Sequence, residues 1–224
     1  MNRSFIIVIP GPGCDRIEAP HYNDSRKSTS TRIIMDKTVL SAQDLLEDSI
    51  ELGIKILESG FKPTMIIAIW RGGTPVGMAV QEVLSYCGIE SDHIAIRTSS
   101  YVGVDQRGAV AVHGLNYIIK KICYDDRVLI IDDVFDTGNT IKAVVEELGR
   151  RARGNTPEDI RVAVPWFKPG RNETDMIPDY FLHETEEWLV FPHELDALTP
   201  EELKETRPEI ARIVHGITSK VSNA

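Results

Sequence analysis

Two short, uninterrupted apolar segments constrain the fold of this chain more than any other feature. Residues 64–70 have the sequence TMIIAIW and residues 128–131 have the sequence VLII, without alternation of polar and apolar positions. A strand with this pattern is buried on both faces, which is typical of a parallel sheet covered by helices. Helical patterns precede, separate and follow these strands, at residues 41–60, at residues 74–88 and from Asn139 or Thr140 onward. The alternation predicts an α/β fold with a mostly parallel, twisted sheet flanked by helices.

The remaining elements are predicted from shorter patterns. Strands are expected at residues 93–97, 160–167, 180–183 and 188–191, a helix at residues 201–214, and a long loop at residues 99–115. The second helix is expected to have Thr74 as its N-cap and Pro75 at its first position. Ligands bind at the carboxyl ends of strands in such sheets, so the loops after Trp70, Arg97, Ile131 and Phe167 are candidate sites.

Charge and cysteine content exclude several classes of function. The net charge is −9, which disfavours binding to nucleic acids or to anionic membranes, since both need a basic surface. Cys14, Cys87 and Cys123 are odd in number and far apart, so we expect no disulfide framework and a reducing, cytoplasmic setting. The longest apolar stretches have about six residues, far below the roughly 20 of a membrane span.

An acidic turn follows the second buried strand. Residues 132–140 have the sequence DDVFDTGNT, which places three carboxylates within five positions. Like charges that lie close repel, so a fold retains them for a cation, for hydroxyl groups or as a solvated turn. Thr137-Gly138-Asn139-Thr140 then leads into a helix, whose N-terminal N–H groups favour an anion. Acids beside a phosphate-binding turn indicate a site for a sugar phosphate.

Three other interpretations of this segment fit its sequence less well. A plain acidic turn before a capped helix would account for an isolated D-T-G-x-T, but the flanking strand and helix make the full string more specific. A Walker P-loop requires G-x-x-x-x-G-K-[ST], which does not occur. An aspartate-nucleophile phosphatase typically has two Asp separated by one residue, whereas Val134 occupies the second slot after Asp132.

The segment VLIIDDVFDTGNT at residues 128–140 resembles the phosphoribosyl pyrophosphate (PRPP) signature of type I phosphoribosyltransferases. The order of elements is similar to that family from about Asp36 to Phe191. The resemblance implies that Asp132 and Asp133 contact the ribose hydroxyls of PRPP, directly or beside a Mg²⁺ ion. It also implies that Asp136 is the general base or hydrogen-bond acceptor near the purine imidazole.

The same resemblance assigns the phosphate-binding turns. Thr137, Gly138, Asn139 and Thr140 would hold the 5′-phosphate. Many purine members have Lys where this chain has Asn139, and a backbone N–H can serve at that position. Arg71 and Gly72, in the turn after the first buried strand, fit the pyrophosphate loop, which carries a non-proline cis peptide in relatives. The sequence leaves open whether Arg71–Gly72 is cis.

The resemblance further implies a lid and a base-binding hood, a small structure that covers the purine. Ser99, Ser100 and Tyr101 resemble the start of the mobile loop that closes over the active site in 6-oxopurine members. Lys168 would donate to the exocyclic oxygen of the purine, and Lys, as a donor only, would select that oxygen over the amino group of adenine. The ring of Trp188 would stack on the base.

The resemblance assigns fewer roles to the other hood residues. The backbone of Leu189 would contact the purine edge. A role for Glu194 in binding metal or pyrophosphate is left open. The histidines, His193 among them, lack the spacing of metal ligands and are interpreted as structural or surface residues.

The resemblance implies one structural domain with three parts: an N-terminal extension at 1–35, a PRPP-binding core at 36–164, and the hood with a C-terminal helix at 165–224. The expected function is a Mg²⁺-dependent purine phosphoribosyltransferase that acts on PRPP and a 6-oxopurine, closest to the xanthine, guanine and hypoxanthine enzymes, as a homodimer or homotetramer. Orotate and adenine transferases explain Lys168 and Trp188 less well. The alternative is a PRPP- or nucleotide-sensing regulator on the same fold.

Overall fold

The computed structural model describes residues 32–34, 37–100 and 110–221 of the chain. The strands are β1 Arg32–Ile34, β2 Lys37–Val39, β3 Met65–Trp70, β4 Asp92–Ser100, β5 Val110–His113, β6 Arg127–Ile131, β7 Val134–Phe135, β8 Asp159–Ala163, β9 Trp166–Phe167, β10 His183–Glu184 and β11 Trp188–Val190. The helices are α1 Ala42–Glu58, α2 Gly73–Tyr86, α3 Asn116–Ile119, α4 Asn139–Ala152, α5 Pro200–Thr206 and α6 Pro208–Val221.

The central sheet has five strands in the order β5-β4-β3-β6-β8. All neighbouring strands in it are parallel except β4 and β5, which form an antiparallel pair. Ile66 and Leu129 pack on one face in a cluster with residues of α1 and α2. Ile67 and Ile130 pack on the opposite face in a cluster with residues of α4. The prediction that these strands are buried on both faces, in a mostly parallel α/β sheet, is therefore confirmed.

The start of α1 agrees with its sequence pattern, whereas the start of α2 does not. Ser41 caps α1, because its hydroxyl accepts from the N–H of Asp44 and the Asp44 carboxylate accepts from the Ser41 N–H. The predicted N-cap at Thr74 is wrong, since α2 begins at Gly73 with Gly72 as its N-cap. The chain can turn this early because Gly73 has no side chain, and a Cβ atom there would lie 2.4 Å from the Ile131 carbonyl oxygen.

Four further predicted elements are corrected. Strand β4 extends through Ser100, because it pairs along its end with β5, so the loop does not start at Ser99. The strand predicted at 160–167 is divided into β8 and β9 around Pro165, which has no backbone N–H for a ladder. The strand predicted at 180–183 is reduced to a single bridge at Tyr180 and the short β10. The predicted C-terminal helix is two helices, which meet at Arg207 and Pro208.

Two small three-stranded sheets cover the carboxyl ends of the central strands. One has the order β10-β9-β7 and the other the order β1-β2-β11. Strand β2 lies outside the predicted hood range of 165–224 and nevertheless pairs in parallel with β11. Helices α5 and α6 pack on this second sheet through an apolar cluster that includes Val39, Val190 and Leu203.

No helix in the described ranges is long and apolar enough to cross a bilayer.

Candidate active site

The turns after β3 and β6 lie in direct contact. A Cβ atom at Gly72 would lie 1.8 Å from a carboxylate oxygen of Asp133, so only glycine fits against this side chain. Gly73 contacts the end of β6 in the same way. The cis peptide of this turn joins Trp70 and Arg71, which is one bond before the position considered from the sequence. The predicted pyrophosphate turn and acidic turn therefore form one surface.

Asp132 and Asp133 form a close acidic pair at the end of β6. The Asp133 N–H donates to Oδ1 of Asp132 at 3.0 Å. Burial, together with the nearby charge of Asp133, raises the pKa of Asp132 well above its usual value. The pair thus destabilises the protein when no ligand is bound, and a cation or ribose hydroxyls would relieve the repulsion between the two carboxylates.

Asp133 also contacts a residue that the sequence pattern did not single out. His193 Nε2 lies 3.2 Å from Oδ2 of Asp133. The His193 ring is stacked on Phe191 with 5.6 Å between ring centroids. His193, which the sequence interpretation treated as a structural or surface residue, thus contacts the acidic pair.

Asp136 is held between two cationic side chains. Arg171 Nε lies 2.8 Å from Oδ1 of Asp136, and Lys168 Nζ lies 3.7 Å from Oδ2. The Lys168 side chain is only 6% exposed, whereas that of Arg171 is 52% exposed. Lys168 is fixed at its backbone as well, since its N–H donates to the Phe135 carbonyl at 2.9 Å. A buried ammonium thus lies beside the predicted general base.

The turn before α4 has the backbone expected of an anion-binding turn. Gly138 is its N-cap with φ of +78°, a left-handed conformation that favours glycine. A Cβ atom there would also lie 2.6 Å from the Thr174 hydroxyl. The Asn139 side-chain amide donates to Glu173 at 2.6 Å. The four residues 137–140 therefore start α4 with their backbone N–H groups at the helix N-terminus.

A cavity of about 350 Å³ lies between the acidic turn and the hood. It is lined by Asp133, Val134, Asp136, Lys168, Arg171, Trp188, Leu189, Phe191 and Glu194. Trp188 is 60% exposed, so its indole is available to a flat ligand, whereas Leu189 is buried. The walls combine an aromatic surface, a buried cation and carboxylates, which suits a planar polar base.

The structure brings several of the predicted site residues together. Asp133, Asp136, Lys168, Trp188 and Leu189 share the cavity, and Gly72 contacts its acidic edge. Arg71 is exposed and lies 3.9 Å from Asp196. Ser99 lies on β4, where its hydroxyl is 3.2 Å from His113 Nε2. Ser100 ends the same strand, and Tyr101 lies outside the described residues.

Arg171, Phe191 and His193 are site residues that the sequence interpretation missed, and Glu194 was left open there. The spacing of Arg171 from Lys168 could have indicated a second cation, because Lys168 precedes the Pro169–Arg171 3₁₀ turn and Arg171 ends it. His193 had no comparable signal, since its partner Asp133 is on a distant part of the chain.

The fold and the site define a class of protein with a mostly parallel α/β core, an acidic turn that leads into a helix, and an adjoining cavity. The family model described as the phosphoribosyl transferase domain matches residues 36–198. The chain therefore belongs to the phosphoribosyltransferase family, and its fold is that of the type I members.

Comparisons with particular proteins point to purine enzymes. The hypoxanthine-guanine phosphoribosyltransferase of Lactococcus lactis is 26% identical over 149 residues, which cover 65% of this chain and 75% of that protein. The crystal structure of a purine phosphoribosyltransferase from Pyrococcus horikoshii has a TM-score of 0.55 at 29% identity, and the match covers 71% of this chain and 95% of that one. The Helicobacter pylori xanthine-guanine-hypoxanthine phosphoribosyltransferase matches in fold, with a TM-score of 0.57 at 22% identity over 75% of this chain and 99% of that one.

Proposed function

We propose that this chain transfers the 5-phosphoribosyl group from PRPP to a 6-oxopurine and releases pyrophosphate. The observation that carries the proposal is the single cavity in which Asp136, Lys168 and Trp188 meet. An aromatic face for the base, a buried donor for its oxygen and a carboxylate for its proton are the three requirements of this reaction. The purine names of the relatives are in keeping with this choice.

In the proposed reaction the bond from C1 of the ribose to pyrophosphate breaks and a bond from C1 to a purine nitrogen forms. Asp136 would take the proton that the purine nitrogen loses. The neighbouring cations Lys168 and Arg171 would hold Asp136 in place for this transfer, and Lys168 would also donate to the purine oxygen. The turn at residues 137–140 would bind the 5′-phosphate, while Arg71 and the amide of Gly72 would bind pyrophosphate.

The acidic pair fits Mg²⁺, because carboxylate oxygens are the ligands that this hard ion prefers. In the described parts of the chain, no group of three His, Cys, Asp or Glu side chains is arranged to hold a metal ion. We therefore expect Asp132 and Asp133 to contribute to an ion that is otherwise held by PRPP oxygens and water. When bound, the ion would neutralise charge on the leaving pyrophosphate.

A spectrophotometric screen of five bases tests the proposal. Xanthine, guanine, hypoxanthine, adenine and orotate are each supplied with PRPP, with Mg²⁺ or with excess chelator, and the Asp136→Asn variant is the negative control. We expect Mg²⁺-dependent turnover of one or more 6-oxopurines and none of adenine. Turnover of adenine or orotate would overturn the assignment of Lys168. Binding of PRPP without turnover of any base would contradict the proposal that the chain is an enzyme and would favour a PRPP-sensing protein.

A further inference from the structure

Arg207, at the junction of α5 and α6, makes an unusual set of contacts. Its Nη1 group donates to the carbonyls of Pro192 at 3.2 Å and Glu194 at 3.0 Å. Its Nη2 group donates to the Phe191 carbonyl at 3.0 Å and lies 3.4 Å from the carbonyls of Val190 and Leu40. One guanidinium thus donates hydrogen bonds to several backbone carbonyls of a single loop. The planar fork of Arg offers five N–H donors in a fixed geometry, which Lys cannot reproduce.

The loop that Arg207 holds, residues 190–194, carries one side of the cavity. Phe191 and Glu194 line the cavity, and His193 lies against Asp133. The loop is closed on itself, because the Phe191 N–H donates to the Glu194 carboxylate at 3.1 Å and the Glu194 N–H donates to the Phe191 carbonyl at 3.0 Å. Arg207 therefore contacts the backbone carbonyls of the loop. The side chains of the loop residues Phe191, His193 and Glu194 face the site.

Arg207 lies outside the part of the chain that matches the family model, which ends at residue 198. The two helices that meet at this residue are fixed to the β1-β2-β11 sheet. The contacts are the ion pair of Lys37 with Glu202 at 3.0 Å and the apolar cluster around Val190 and Leu203. Burial lowers the pKa of Arg207, with the charge of Glu194 acting in the opposite direction, and an Arg remains protonated in either case. The position of the guanidinium is thus set by the C-terminal helices.

We propose that Arg207 is a positioning residue, which joins the C-terminal helix pair to the base-binding loop and holds His193 and the cavity wall against the acidic turn. The inference rests on the proposed transfer reaction and adds to it a segment beyond the matched domain. Without the guanidinium, the carbonyls of Pro192 and Glu194 lose this donor, while those of Val190 and Phe191 keep only their backbone donors. The loop then rearranges so that the freed carbonyls reach water. The base site is then displaced while the phosphate turn on α4 keeps its place.

The test compares Arg207→Met and Arg207→Lys with Arg212→Met in the full chain. Arg212 is a matched control, since it lies on α6, is 76% exposed and pairs only with the exposed Glu209 among the contacts of the described residues. Steady-state kinetics give KM and kcat for the base and for PRPP. Hydrogen exchange compares residues 190–194 with the central strand β6.

For Arg207→Met we expect the KM for the base to rise roughly 10- to 100-fold, more than the KM for PRPP, because small displacements of binding groups have effects of this size. Exchange should accelerate in residues 190–194 and not in β6. Arg207→Lys should fall between this variant and the wild type, and Arg212→Met should match the wild type.

Unchanged KM values in both Arg207 variants, or equal acceleration of exchange in both segments, would overturn the proposal. If Arg207→Met does not fold, Arg207→Lys decides by the same criteria. If the wild type turns over no base, the proposed function has failed, and the exchange comparison alone decides whether Arg207 holds the loop.

Discussion

The two halves of the site are built in different ways. The proposed phosphate half consists of two turns that directly follow β3 and β6, and within each turn the functional groups are neighbours in sequence. The base half is assembled from β2, the segment around Lys168, the loop at 190–194 and the junction at Arg207. Each turn of the first half depends on local backbone geometry, and one close contact, that of Gly72 with Asp133, joins the two turns. The second half depends on side chains that meet only after distant segments pack.

The largest effect is expected at Asp136, where the two halves meet. Asp136→Asn keeps the shape but removes the proton acceptor and the charge that Lys168 and Arg171 contact. We expect kcat to fall about 10²- to 10⁴-fold with little change in the KM for PRPP. The nearby exposed Asp175→Asn is the control and should match the wild type. Full activity of Asp136→Asn in steady-state kinetics would remove the general-base assignment.

A somewhat smaller effect is expected in the phosphate half. In Gly72→Ala the new methyl group would lie 1.8 Å from the Asp133 carboxylate, so one of the two turns must move. We expect kcat/KM for PRPP to fall about 100-fold, as displacements of about 1 Å can cost this much. Gly154→Ala is the matched control, because a Cβ atom at Gly154 meets no atom within 4 Å. Equal kinetics for the two variants would show that contact between the turns is not needed.

The base half is probed by Lys168→Met, which keeps the length of the side chain and removes its donor. We expect kcat/KM for the 6-oxopurine to fall about 10- to 100-fold, the range for loss of a hydrogen bond to a charged group. The KM for PRPP should change much less, since the PRPP turns lie in the other half. The exposed Lys62→Met is the control. A loss shared equally by base and PRPP would break the distinction between the two halves.

The smallest effect concerns stability rather than activity. Because the pKa of Asp132 is raised in the folded protein, the native state binds its proton more tightly than the unfolded chain does. Stability is therefore lost as the pH rises through the folded pKa, and Asp132→Asn should unfold at a higher temperature at pH 7–8. The expected gain is about 2–4 °C for each kcal/mol relieved.

This gain should shrink as the pH falls toward the range where the wild-type carboxyl is protonated. Thermal unfolding without ligand, followed across this pH range, measures the difference, with the exposed Asp125→Asn as control. A lower unfolding temperature for Asp132→Asn at pH 7–8 would show that hydrogen bonds to the carboxylate outweigh its burial and repulsion.

Sequence patterns were sufficient for the core and for the phosphate half. The apolar runs at 64–70 and 128–131 predicted strands buried on both faces, and residues 132–140 predicted an acidic turn that leads into a helix. Both predictions succeeded because the spacing of side chains along a strand or within one turn is set by local backbone geometry. Gly138 illustrates this, since a turn into α4 favours the left-handed conformation that glycine adopts.

Tertiary structure alone decided the rest of the site. The contact of His193 with Asp133, the pairing of β2 with β11 and the hold of Arg207 on the loop at 190–194 each join segments that are far apart in the chain. Such contacts leave no periodic signal, because a single polar side chain has the same local sequence whether it faces water or a distant carboxylate. The sequence by itself therefore determined the α/β core and the acidic turn that leads into α4, and packing between remote segments decided how the cavity beside this turn is closed.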